Sequence, residues 1–129
     1  MKKYPPIIAG ILLGLLFIMS AVMVLFNLVK MPPPPEGTPA AMFFRAFGPT
    51  GYLTFVKIFE LVGGLVVMIP RLRNFGLLLL GPVIVNIVAF HLFIGGGLKD
   101  FLDPTMIVIL VLSLYLLWDA RRKFAGLLT

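Results

Sequence analysis

Four side chains able to hold charge or make strong hydrogen bonds, Lys57, Glu60, Asn86 and His91, interrupt stretches that are otherwise almost wholly apolar. Lys57 and Glu60 stand three residues apart, which makes them neighbours on one face of a helix. An ammonium beside a carboxylate can form an ion pair. It can also relay a proton, because the protonation of each responds to the other. Asn86 offers an amide that donates and accepts, and His91 an imidazole that can titrate or ligate. His91 follows Asn86 by five positions, about 140° of helix, so the two are not simple face-mates. A lone histidine near the end of an apolar run is more often bonded to a neighbour than a metal or tetrapyrrole ligand. No catalytic set accompanies the four. The chain has no cysteine, no HExxH, no phosphate-binding loop and no paired carboxylates in one apolar run. Neither a catalytic nor a metal-ligating residue is assigned.

The elements that carry these groups are read from composition. Of 129 residues, 60% are hydrophobic and 12% charged, against about 25% charged in an ordinary soluble domain. Such a chain cannot cover its surface in water. It reads as one integral membrane domain over residues 1–129, with the lipid bilayer as its first partner. The net charge of +6 does not imply nucleic-acid binding, because the basic residues flank apolar runs and do not form a soluble patch. A span needs about 20 apolar residues, and four candidates present themselves at 7–28, 51–70, 75–94 and 104–119. The expected fold is all-α, a four-transmembrane-helix bundle with a short interfacial amphipathic helix, about 38–48, between the first and second spans.

Small residues mark where these helices can approach. Gly10 and Gly14 lie one turn apart in the first span, with Ala21 near the same face, and Gly63 and Gly64 follow Glu60 by one turn in the second. Ser20 and Asn27, seven residues apart, align roughly along the first span. The run Pro32 to Pro35 is expected to be an extended, stiff loop. Thr38 is the expected N-cap of the interfacial helix, whose Phe43 and Phe47 share a face. Pro70 with Arg71 and Arg73 stops the second span. Pro82 removes a hydrogen bond inside the third. Asp103-Pro104 predicts the start of the fourth, which is expected to run through Tyr115 and Trp118 into Arg121, Arg122 and Lys123.

Lys2, Lys3, Arg71, Arg73, Arg121, Arg122 and Lys123 fall on one side of a four-span arrangement. Lys30, Arg45 and Lys99 fall on the other, diluted by Glu36, Asp100 and Asp103. The positive-inside bias predicts a multi-pass protein of a bacterial cytoplasmic (inner) membrane with both termini cytoplasmic, and His91 near the outer leaflet.

The string GYL-x-x-V-K-x-x-E-x-x-GG from Gly51, the run PVIVNIVAFHLF from Pro82 to Phe93, and FLDP from Phe101 to Pro104 together resemble the DoxX-like family of small bacterial membrane proteins. The resemblance covers most of the chain from Phe43 onward. The first span matches only as an apolar helix with glycines. The resemblance implies a four-helix membrane bundle whose typical polar positions map onto Lys57, Glu60, Asn86 and His91. It also implies an association with membrane redox systems, since the family takes its name from a subunit linked to thiosulfate:quinone oxidoreduction. Fold analogy says little about activity.

Three functions are compatible with these residues. An accessory or scaffold subunit would bind other membrane subunits and do no chemistry, which suits the small size, minimal loops and missing catalytic set. A redox subunit would hold a quinone, its head group bonded by Lys57, Glu60, Asn86 or His91. A small-molecule or ion carrier would use the same cluster as its pathway, although no internal repeat stands out. The first is the expectation adopted.

Overall fold

The computed structural model describes residues 4–28 and 33–128, and among them it is all-helical, without strands. Lys2, Lys3, Lys30 and Pro32, named above, lie outside these residues.

Helix α1 runs Tyr4–Leu25. Pro5 and Pro6 fall in its first turn, where their missing N–H groups would have had no intrahelical acceptor. The helix stops short of Asn27 for a local reason. Asn27 adopts a left-handed backbone, φ 53°, while its N–H bonds the Val24 carbonyl at 3.3 Å and the Leu28 N–H bonds that of Met23 at 2.9 Å. This is a Schellman termination with asparagine where glycine is usual. Asn27 therefore ends the helix and is not a face-mate of Ser20.

Helix α2, Pro39–Phe47, starts at Thr38, whose hydroxyl accepts from the Ala41 N–H at 3.3 Å. A 3-10 turn, Gly48–Thr50, follows, then Gly51 at φ 84°. That left-handed corner favours glycine, and it swings the chain by 83° into α3. Helix α3, Tyr52–Val67, is shorter than the 51–70 expected. Ile69 precedes Pro70, whose ring disfavours helical geometry in the residue before it, and the chain turns from Met68 to Leu72. Helix α4, Arg73–Phe93, contains Pro82. After a 3-10 segment, Gly97–Leu102, helix α5 covers Pro104–Asp119. Asp103 occupies its N-cap position, yet the carboxylate makes no capping bond there. The expected continuation into the basic tail is broken at Ala120: α6, Arg121–Ala125, turns away by 70° and passes into a 3-10 turn, Gly126–Leu128.

Two of these helices, α1 and α4, are each long and apolar enough to cross a membrane. At sixteen residues, α3 and α5 are roughly 24 Å long, short of a hydrocarbon core of about 30 Å. Each reaches spanning length only if counted with its bent neighbour, so the chain has two to four candidate spans. The chain is a helical membrane protein.

Packing makes a ring in the order α1–α3–α4–α5. The α1–α3 pairing is the most extensive and α4–α5 the slightest. The core lies where the four meet, with Leu13 and Phe17 of α1, Val67 of α3, Leu80 of α4 and Leu116 of α5 all but fully buried. Outward surfaces carry Leu, Ile, Val and Phe in profusion, as expected when lipid completes the fold.

Candidate functional site

Helix α3 presents two faces, about 100° apart, to two different neighbours. Lys57, Glu60, Gly64 and Val67 follow helical spacing along the face toward α1, and Tyr52, Val56, Phe59 and Gly63 along the face toward α4. The first face is the tighter. A Cβ on Gly14 would lie 2.5 Å from the Gly64 carbonyl oxygen and would collide with the Met68 side chain, and one on Gly64 would lie 3.0 Å from the Gly14 carbonyl oxygen. One turn toward the α1 N-terminus, a Cβ on Gly10 would sit 2.9 Å from the Val67 carbonyl oxygen. Position numbers rise along α1 as they fall along α3, so the helices are antiparallel with backbones nearly touching.

That close approach brings the polar residues together. Lys57 Nζ lies 3.3 Å from Glu60 Oε2, and donates to Glu60 Oε1 at 3.5 Å and to Ser20 Oγ of α1 at 3.2 Å. Glu60 is only 3% exposed. The lysine, with 24% of its side chain exposed, leans across the mouth of the seam. The arrangement is a latch: the buried carboxylate draws the ammonium inward, and the ammonium spends another donor on the neighbouring helix. Ser20 is the member that sequence spacing did not single out for this role, because the α1–α3 register has to be known first.

Asn86 and His91 sit elsewhere. Asn86 is exposed and shares an open groove of about 250 Å³ with Tyr52, Phe55, Val56, Phe59 and Pro82, on the α4-facing side of α3. His91, half-buried in the last turn of α4, meets Phe90 edge-on with ring centroids 5.7 Å apart. Phe90 in turn receives Phe43 and Phe44 of α2 at 5.1 and 5.8 Å. The amphipathic helix is thus held to the end of α4 by aromatic contacts.

The other glycine of the α3 pair meets α4: a Cβ on Gly63 would press on Leu80 at 2.7 Å. Gly76 is the tightest point that sequence reading passed over. A Cβ there would lie 2.6 Å from the Val67 backbone nitrogen, so Val67 is gripped between Gly10 and Gly76. Also missed was the pairing of Arg73 with Asp119 at 3.9 Å, which ties the start of α4 to the end of α5. The basic turn was legible, but its acidic partner depended on helix order. Among the described residues no cluster of three or more His, Cys, Asp or Glu could hold a metal ion.

A ring of apolar helices latched by one buried ion pair defines a small helical membrane protein. Among curated proteins, the chain is similar to uncharacterized protein YwoB of Bacillus subtilis (strain 168). Identity is 33% over 76 residues, covering 59% of this chain and 47% of that one. The chain spans about half the length of the curated relative it matches. No family profile and no solved structure matches it.

Proposed function

We propose that this chain is a four-span bundle of the DoxX-like kind, inserted in a bacterial inner membrane with both termini cytoplasmic. In this reading it serves as an accessory subunit that presents its helices to larger membrane subunits, in a redox-linked assembly. α3 and α5 then cross as short spans, with α2 and α6 turned toward the two interfaces. The observation that carries the accessory reading is the closure of the latch. Glu60 is buried against Lys57, and Lys57 donates also to Ser20. Among the described residues neither lines the aromatic groove, an apolar groove along Leu12, Leu15 and Met19 of α1, or another between α4 and α5. A carboxylate held this way joins helices; a relay needs an approach for its substrate. The test is extraction in mild detergent with companions attached. A fixed set of larger membrane subunits, retained by Asn86→Ala as by the original chain, is the expected result. Recovery of the chain alone from native membranes would overturn it.

One observation favours a second reading, a quinone-linked subunit. The groove beside Asn86 combines one amide with aromatic walls from Tyr52, Phe55 and Phe59, the mixture of apolar surface and sparse polar groups that suits a flat ring. A stoichiometric quinone in a solvent extract, lost in Asn86→Ala and kept in Lys57→Met, would select it.

A further inference from the structure

The slightest contact in the ring leaves a groove between α4 and α5, about 410 Å³ in volume, walled by Leu78, Gly81 and Val85 on one side and Leu114 and Leu117 on the other. Phe124 of α6 also lines it. Among the described residues its one polar lining side chain, Ser113, donates to the Ile109 carbonyl at 2.6 Å, so these walls ask for no hydrogen bond. At Gly81 nothing lies within 4 Å of where a Cβ would be. Between Leu117 and Phe124, both on the lining, the chain places exposed Arg121, Arg122 and Lys123. Arg121 rests its guanidinium over Trp118 at 4.0 Å and donates to that residue's carbonyl at 2.8 Å, leaving its other N–H groups available. Asp119, the acid nearest in sequence, is engaged by Arg73.

We propose that this groove holds one acyl chain of an anionic phospholipid whose headgroup phosphate is met by Arg121, Arg122 and Lys123. The inference rests on the membrane reading, but not on the accessory role. An apolar channel open to hydrocarbon takes up a lipid tail, and cations at its interfacial end select the headgroup. A second copy of the chain is disfavoured by charge. A two-fold pairing through this groove would set the three cations of one copy against the same three of the other.

The single tryptophan, Trp118, is 65% exposed and stands beside the proposed headgroup site, so the full chain carries its own reporter. In bilayer nanodiscs, quenching by phosphatidylglycerol with brominated acyl chains is compared with quenching by brominated phosphatidylcholine at equal mole fraction. The expected result is an apparent preference for the anionic lipid of roughly fivefold or more, the gain from one cation meeting the headgroup. It falls toward one in Arg121→Gln/Arg122→Gln/Lys123→Gln. It falls also in Gly81→Leu, which fills the groove and leaves every charge in place, with helical content by circular dichroism as the folding control. Equal quenching by the two lipids overturns the proposal. So does a preference that survives Gly81→Leu, which would be diffuse attraction to the basic end. A dimer broken by Gly81→Leu, without lipid preference, assigns the groove to a second copy and overturns it as well. Loss of the membrane reading itself would show independently, as failure of the chain to sediment with carbonate-washed membranes.

Discussion

At the scale of single residues, the latch concentrates the polar energetics of the bundle in three side chains. Removing one partner of a buried pair leaves the other charge without compensation. Lys57→Met is therefore expected to destabilise the bundle by about 3 kcal/mol, read from reversible unfolding in mixed detergent micelles. Removing both, as Lys57→Met/Glu60→Leu, is expected to restore most of that loss. A double variant no better than the single would show that the pair does more than neutralise itself. Ser20→Ala should be milder, about 0.6 kcal/mol, the average for interhelical hydrogen bonds in a bilayer. The i,i+3 spacing of Lys57 and Glu60 was open to reading in the sequence, since it depends only on helical geometry. Ser20 as the acceptor for Lys57 was not, because thirty-seven positions separate the two and only the antiparallel register joins them. Asn86 and His91 looked equivalent to the pair in an apolar context. They differ because α4 meets the other face of α3.

Among the elements, glycine has two opposite meanings that a sequence cannot tell apart. Gly76 lets α4 lie against the backbone of Val67, whereas Gly81, five positions on, opens a groove. Gly76→Ala is expected to disrupt the α3–α4 contact and lower stability by several kcal/mol, on the order of an overpacked core site or worse. Gly81→Ala is expected to gain up to about 1 kcal/mol from helix propensity. Thermal unfolding of the two variants side by side in one detergent checks the contrast, and equal losses would refute the assignment of close approach. The glycines of the first two spans were legible as approach points because they come in pairs, Gly10 and Gly14 one turn apart and Gly63 and Gly64 side by side. Gly76 stood alone between Phe75 and Leu77 and gave no pattern. Helix lengths were legible to within a turn where a proline or a cap stops them. The break at Ala120 was not, because no proline or glycine marks it.

For the molecule as a whole, the arrangement of charge predicts a topology that can be read chemically, since the chain is free of cysteine. Single substitutions at exposed positions, Glu36→Cys, Arg71→Cys, Lys99→Cys and Lys123→Cys, are expected to label with an impermeant maleimide from alternating sides. Positions 36 and 99 should react from outside, 71 and 123 only after the membrane is opened. Labelling of 36 and 71 from the same side, together with 99 and 123 from one side, would reduce the chain to two spans, α1 and α4. The ring order was beyond sequence reading, because all four helices are apolar on nearly every face and none announces its neighbours. That order also has a consequence in time. Because α5 closes the ring chiefly against α1, roughly eighty residues must be synthesised between the end of α1 and the start of its second neighbour, about 4–16 s at ordinary translation rates. Until α3 is made, α1 has to remain in place by its own affinity for lipid; from then on the glycine seam and Ser20's bond to Lys57 hold it as well. The seam that forms first is the one with the polar latch, and the helix that joins last is tied only at its end, by Asp119 to Arg73.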